Sequence, residues 1–194
     1  MIIFETARLF GLIAGVISFL AYLVYIISIL KGKTRPNRAT WWILTFVGTV
    51  TGLSYYFSGA TETIWVAIAD VFGILIIAIL SIKYGEGGKN KLDITCFFVS
   101  IFSLVIWYLS GSPVVALIMN LLMDFVGNIP TIKKSYLDPK GESGLSWSLT
   151  SLGNIINFGA ITSMSFGVLI YPIYMTVVSC LITILLYRNK ICFR

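Results

Sequence analysis

The chain has 194 residues, of which 58% are hydrophobic and only 11% charged, with a formal net charge of +6 and a mean hydropathy of +0.94. A water-soluble domain of this length cannot hide so much apolar surface, so the composition excludes one and predicts a polytopic membrane protein whose main partner is the lipid bilayer. The chain lacks histidine, which removes the commonest general base and the commonest transition-metal ligand; neither a metal nor a cofactor is expected.

Seven runs of mostly apolar residues, at 8–30, 41–58, 63–83, 94–110, 113–133, 147–165 and 168–187, match the roughly 17–25 residues that a helix needs to cross a hydrocarbon core of about 30 Å. All are expected to be helices, because lipid offers no partner to unpaired backbone groups. The first is not expected to be a cleaved signal peptide, since its basic cluster KGKTRPNR (31–38) follows the apolar run. Gly11 and Gly15 in the first span, and Gly48 and Gly52 in the second, have the spacing of close helix packing. Trp41, Trp42, Trp65 and Trp147 fall at span ends, where an aromatic belt is the default. Cys96 and Cys180 lie in apolar runs and, with Cys192, make an odd count that predicts no disulfide framework.

With seven spans, the loops near 31–40, 84–93 and 134–146 and the C-terminus share one face. They carry Lys31, Lys33, Arg35, Arg38, Lys83, Lys89, Lys91, Lys133, Lys134, Lys140, Arg188, Lys190 and Arg194, against Arg8 alone on the other face. By the positive-inside rule the N-terminus is outside and the C-terminus cytoplasmic. This distribution also accounts for the net charge without a nucleic-acid partner.

Sliding the chain on itself by 106 residues lays spans one to three on spans five to seven, pairing Trp41 with Trp147, Phe19 with Phe125 and Ile26 with Ile132. Four crossings restore the starting side, so the halves run parallel. The expected architecture is therefore all-α: a single transmembrane domain over 1–194, with a first three-helix bundle at 8–84, a linker helix at 92–111 and a second bundle at 113–189. Parallel repeats of this kind bind solute near the midplane between halves. Two repeats in one chain make a monomer sufficient, although a homo-oligomer is compatible with the layout.

This layout resembles the SWEET and PQ-loop transporter superfamily. The segments KGKTRPNRATWW (31–42) and DFVGNIPTIKKSYLDPKGESGLSW (124–147) are most similar to small bacterial PQ-loop-like membrane proteins. The resemblance implies a seven-helix carrier in a bacterial or archaeal cell membrane, moving a small polar solute such as a sugar, an amino acid or a vitamin-like compound. The chain departs from the family's motifs. Val24-Tyr25 and Pro130-Thr131 stand where Pro-Gln pairs would be, and Asn residues lie in spans five and six instead of the positions that grip sugars in SWEETs.

Asn120, Asp124 and Asn128 are spaced i, i+4, i+8 and form one polar stripe on the fifth span. Thr150, Asn154 and Asn157 form another on the sixth. An aspartate near a span centre costs about 2.5–3.5 kcal/mol on insertion scales, so such residues face a cavity or a partner. Desolvation disfavours the anion, which suits Asp124 to proton or cation coupling; a cationic solute or sodium could supply the opposite charge. These five residues, Asn120, Asp124, Asn128, Asn154 and Asn157, are the candidate solute site, and Asp70 of the third span is a second candidate for coupling. Packing glue is the competing role for the amides. Pro130 and Pro172 are candidate hinges. The sequence offers no clustered titratable groups for an enzyme and no lysine in the seventh span for a retinal Schiff base. A receptor or sensor that binds a ligand in the same central cavity without moving it is the alternative to a carrier.

Overall fold

The computed structural model describes residues 2–88, 91–111 and 113–191. Lys89, Cys192 and Arg194 lie outside them. The described residues form seven α-helices and no strand. The helices are α1 (Ile2–Leu30), α2 (Arg38–Phe57), α3 (Ile64–Tyr84), α4 (Lys91–Ser110), α5 (Pro113–Leu137), α6 (Gly144–Asn157) and α7 (Phe166–Ile191). Asn37 caps α2, its side chain accepting from the Thr40 amide at 3.0 Å, and Ser143 caps α6 by accepting from Ser146 N at 3.4 Å. Both proline candidates lie inside continuous helices, Pro130 in α5 and Pro172 in α7.

Three segments are long and apolar enough to cross a membrane, namely Glu5–Leu30, Ile64–Tyr84 and Phe166–Arg188, which supports a membrane protein. The outer surface agrees with that reading. Phe46, Phe72, Ile79, Phe98, Phe102 and Val177 are each more than half exposed, on four different helices, and a chain dissolved in water does not display so much apolar surface.

The sixth element departs from expectation. A helix was expected to fill 147–165, but α6 stops at Asn157, continues through one 3-10 turn (Phe158–Ala160) and gives way to non-helical chain over 161–165. Two local features fix the stop. The Asn157 side chain donates to Thr63 O at 3.3 Å, and Gly159 backs onto the Phe10 ring so closely that a Cβ there would lie 2.6 Å from the ring.

α1 packs against α3 and α6, α2 against α3 and α5, and α7 against both α5 and α6; α4 lies outside, on α5 and α2. Six helices thus close a ring in the order α1, α3, α2, α5, α7, α6. Gly11 and Gly15 bring α1 against the turn before α3 and against Trp65 of α3, where added Cβ atoms would clash with Glu62 O and stand 2.8 Å from Trp65 Cβ. The expected close packing at Gly48 and Gly52 is not found: their nearest neighbours sit at an ordinary 3.6 Å. Trp41 also departs from expectation. It is 3% exposed and packs on Tyr25 with ring centroids 5.0 Å apart, inside a core with Ile29, Leu44, Ile74 and Ile77. A tryptophan at a span end can anchor at the interface or fill a gap between helices, and here the tyrosine of α1 offers the gap.

The linkers 31–37, 85–88 and 138–143 meet at one end of the ring. Arg35 N donates to Gly141 O at 3.1 Å, Arg38 N to Glu86 O at 2.9 Å, and Glu86 N to Pro36 O at 2.9 Å. At the other end Tyr55 stacks on Tyr171 at 4.4 Å and donates to Val168 O at 3.1 Å.

Candidate functional site

Inside the ring, two carboxylates are held by tyrosines. Asp124 of α5, 8% exposed, accepts at Oδ2 from the Tyr174 hydroxyl at 2.6 Å and from Asn128 Nδ2 at 2.9 Å. Asp70 of α3, 4% exposed, accepts at Oδ1 from the Tyr22 hydroxyl at 2.9 Å and at Oδ2 from Tyr171 at 2.8 Å. Tyr171 and Tyr174 are three residues apart, so one turn of α7 serves both acids. Among the described residues no ion pair reaches either one; both ion pairs found belong to Lys134.

Local sequence explains how Tyr22 arrives there. Gly73 lies one turn beyond Asp70 on α3, and a Cβ there would stand 2.1 Å from the Tyr22 ring. The missing side chain at 73 makes the space in which the ring lies, and the ring carries its hydroxyl to the acid.

The five expected site residues are buried, but they do not form one hydrogen-bonded cluster. Asp124 and Asn128 are bonded to each other. Asn120 turns to α2, donating to Ser54 Oγ at 3.3 Å; Asn154 donates to Ser179 Oγ of α7 at 3.4 Å; Asn157 binds Thr63 O. The direction of two of these amides is fixed by their partners. A backbone carbonyl can only accept, so Asn157 must present its NH2 to Thr63. Ser179 spends its hydroxyl proton on Met175 O at 2.7 Å and so must accept from Asn154. Among the described residues the carbonyl oxygens of Asn120, Asn154 and Asn157 are buried without a partner, each at a cost of about 1–3 kcal/mol. Their environment is rich in acceptors and poor in donors.

Sequence reasoning passed over Tyr22, Tyr171 and Tyr174. The signal for the last two was present, two tyrosines one turn apart on either side of Pro172. Glu142, in the linker between α5 and α6, was also missed. Its carboxyl is buried, accepting from the Tyr25 hydroxyl at 2.6 Å and Trp147 Nε1 at 3.5 Å and pairing with Lys134 Nζ at 3.1 Å. Burial pushes this carboxyl above its ordinary range, and Lys134 and Tyr25 pull it back.

Comparison with protein-family models, with curated proteins and with solved structures finds no match to this chain.

Proposed function

We propose that the chain is a multi-pass carrier of the cell membrane that moves a small polar solute by alternating access. In this reading all seven helices cross, as two parallel three-helix repeats joined by α4, with the N-terminus outside and the C-terminus cytoplasmic. The packing order supports it: in each set of three the last helix touches the other two, and α1 on α6 mirrors α5 on α2. The gathering of the lysine-bearing and arginine-bearing linkers at one end supports the orientation.

The observation that carries the proposal is the pair of buried carboxylates answered only by neutral donors. A fixed structural acid inside a bundle is normally neutralised by a permanent cation, because an unpaired buried charge is expensive. Asp70 and Asp124 have tyrosine hydroxyls and one amide instead. Such a centre gains most from a proton or cation that comes and goes, and the unpaired amide oxygens favour a solute that is a hydrogen-bond donor or carries positive charge. Asp124 is assigned the coupling role because Tyr174 ties it to α7 on a helix that also packs against α2 of the other set, and Asp70 is assigned as its partner.

Asp124→Asn keeps the shape and fixes the charge at zero. In liposomes the variant is expected to lose concentrative uptake and its pH dependence while exchange down a gradient persists. A variant that concentrates solute like the parent would show Asp124 to be structural, and a parent that binds solute without flux would show a receptor.

A further inference from the structure

One ammonium group is bonded to all three linkers at one end of the ring. Lys134, at the last turn of α5 and 9% exposed at its side chain, pairs with Glu86 at 2.9 Å and with Glu142 at 3.1 Å. It also donates to Gly141 O at 3.1 Å and to Arg35 O. Those partners come from all three linkers at this end. Glu142 in turn is held by Tyr25 of α1 and Trp147 of α6, so the contact extends to both helices of the α1–α6 seam. Arg35 and Glu86 belong to the first set of three helices, whereas Lys134, Gly141 and Glu142 belong to the second set and its linker.

We infer that this cluster is the gate at the lysine-rich end: its bonds break together to open the ring toward the Asp124 centre and re-form to seal it. The inference rests on the carrier reading and goes beyond it by naming the gate. Three features support it. First, Lys134 sits at the foot of the coupling helix. Asp124, Asn128, Thr131 and Ser135 descend one face of α5, all buried, and Lys134 adjoins the lowest of them. Pro130 interrupts the hydrogen-bond ladder between the acid and the lock, which gives α5 a place to bend when the centre changes its charge.

Second, the cluster is suited to reversal. A buried ion pair gains Coulomb energy but loses hydration on both partners, and the two nearly cancel. Separating both partners together into water therefore costs far less than removing one of them. An apolar plug of equal area would have no such compensation on opening, because exposing it only loses energy.

Third, an open cleft flanks the cluster on one side. A cleft of about 360 Å3 opens beside the lock and is lined by Asn37, Glu86, Asp93, Pro130, Lys133 and Lys134. Directly inward the next bond is neutral and single, Thr131 Oγ1 to Thr40 Oγ1 at 3.2 Å, joining α5 to α2. Beyond it lies Asn128. Among the described residues Lys134 is the charged group of α5 that stands between that cleft and the acid.

The test uses Thr131→Cys as a reporter in a chain carrying Cys96→Ala, Cys180→Ala and Cys192→Ala. Labelling by a membrane-impermeant maleimide is followed in inside-out vesicles, with monodispersity in detergent as the folding control. Lys134→Gln is expected to raise the labelling rate at least tenfold, and Lys134→Arg to stay within a few-fold of the parent. Glu86→Gln, which removes the more exposed partner and spares the buried one, is expected to give a smaller rise and provides the reading where Lys134→Gln does not fold. Rates unchanged in both Lys134→Gln and Glu86→Gln would overturn the gate. Labelling that responds to Lys134 while no solute flux is found would retire the carrier and leave the lock in place. Normal flux with unresponsive labelling would overturn the lock alone.

Discussion

Two buried acids in this molecule are kept by opposite means. Glu142 has the ammonium of Lys134 at 3.1 Å and a tyrosine on its other oxygen. Asp70, no less enclosed, has two tyrosines and, among the described residues, no cation. The bundle therefore supplies a permanent counter-charge at its end and withholds one from its middle. A resident lysine beside Asp70 or Asp124 would hold the acid ionised through every step. Its absence leaves the charge of the centre free to be set by what enters.

The comparison can be broken most forcefully at its charged end. Lys134→Met leaves Glu142 buried without its cation and should destabilise the protein by about 3–5 kcal/mol, the range for orphaning one member of a buried pair. Asp70→Asn removes a buried charge that has no cation to orphan, and should leave stability in detergent unchanged or raised. Unfolding midpoints of the two variants, measured side by side, check both; equal losses would mean that the two acids are held alike. A step smaller in size, Gly73→Ala drives a Cβ into the Tyr22 ring and should cost about 1–3 kcal/mol, as overpacking does. The same variant should perturb Tyr22 fluorescence or its resonances, because the ring can no longer lie over residue 73. Gly48→Ala is the mild counterpart. Its nearest neighbour is the end of the Ile74 side chain at 3.6 Å, and removing a helical glycine gains about 0.5–1 kcal/mol, so the unfolding midpoint should hold or rise slightly.

Much of the helical layout is legible in the sequence because lipid-facing helices are long, apolar and separated by charged linkers. The boundaries of α3 and α7 differ from the apolar runs by only a few residues. The sixth element fails because apolar content continues past the helix: FGAITSMS (158–165) reads as span, yet a single side-chain bond from Asn157 and a glycine against Phe10 end it. Asp124 and Asn128 are legible as a pair from their spacing, whereas the bonds from Asn120, Asn154 and Asn157 run to different helices that no local pattern names. The tyrosines were hidden for a chemical reason. A tyrosine in an apolar run counts as hydrophobic bulk, and only its three-dimensional neighbour shows whether the hydroxyl is spent on an acid. Lys134 was counted only among the cytoplasmic charges and Glu142 was not singled out, because linkers usually are solvated, and the closing of three linkers over one ammonium is a long-range event.

The brevity of α6 has a consequence for the membrane itself. Fourteen residues rise about 21 Å, and the 3-10 turn that follows adds about 6 Å, which leaves the segment short of a hydrocarbon core of about 30 Å. On the proposed reading, lipid beside α6 must thin, or water and headgroups must dip toward Asn157, and either response carries a cost that grows with each ångström of mismatch. Acyl-chain length thereby becomes a control on the protein. Thick bilayers would press on the 161–165 segment and thin ones relieve it, so the same chain would work at different rates in membranes of different thickness.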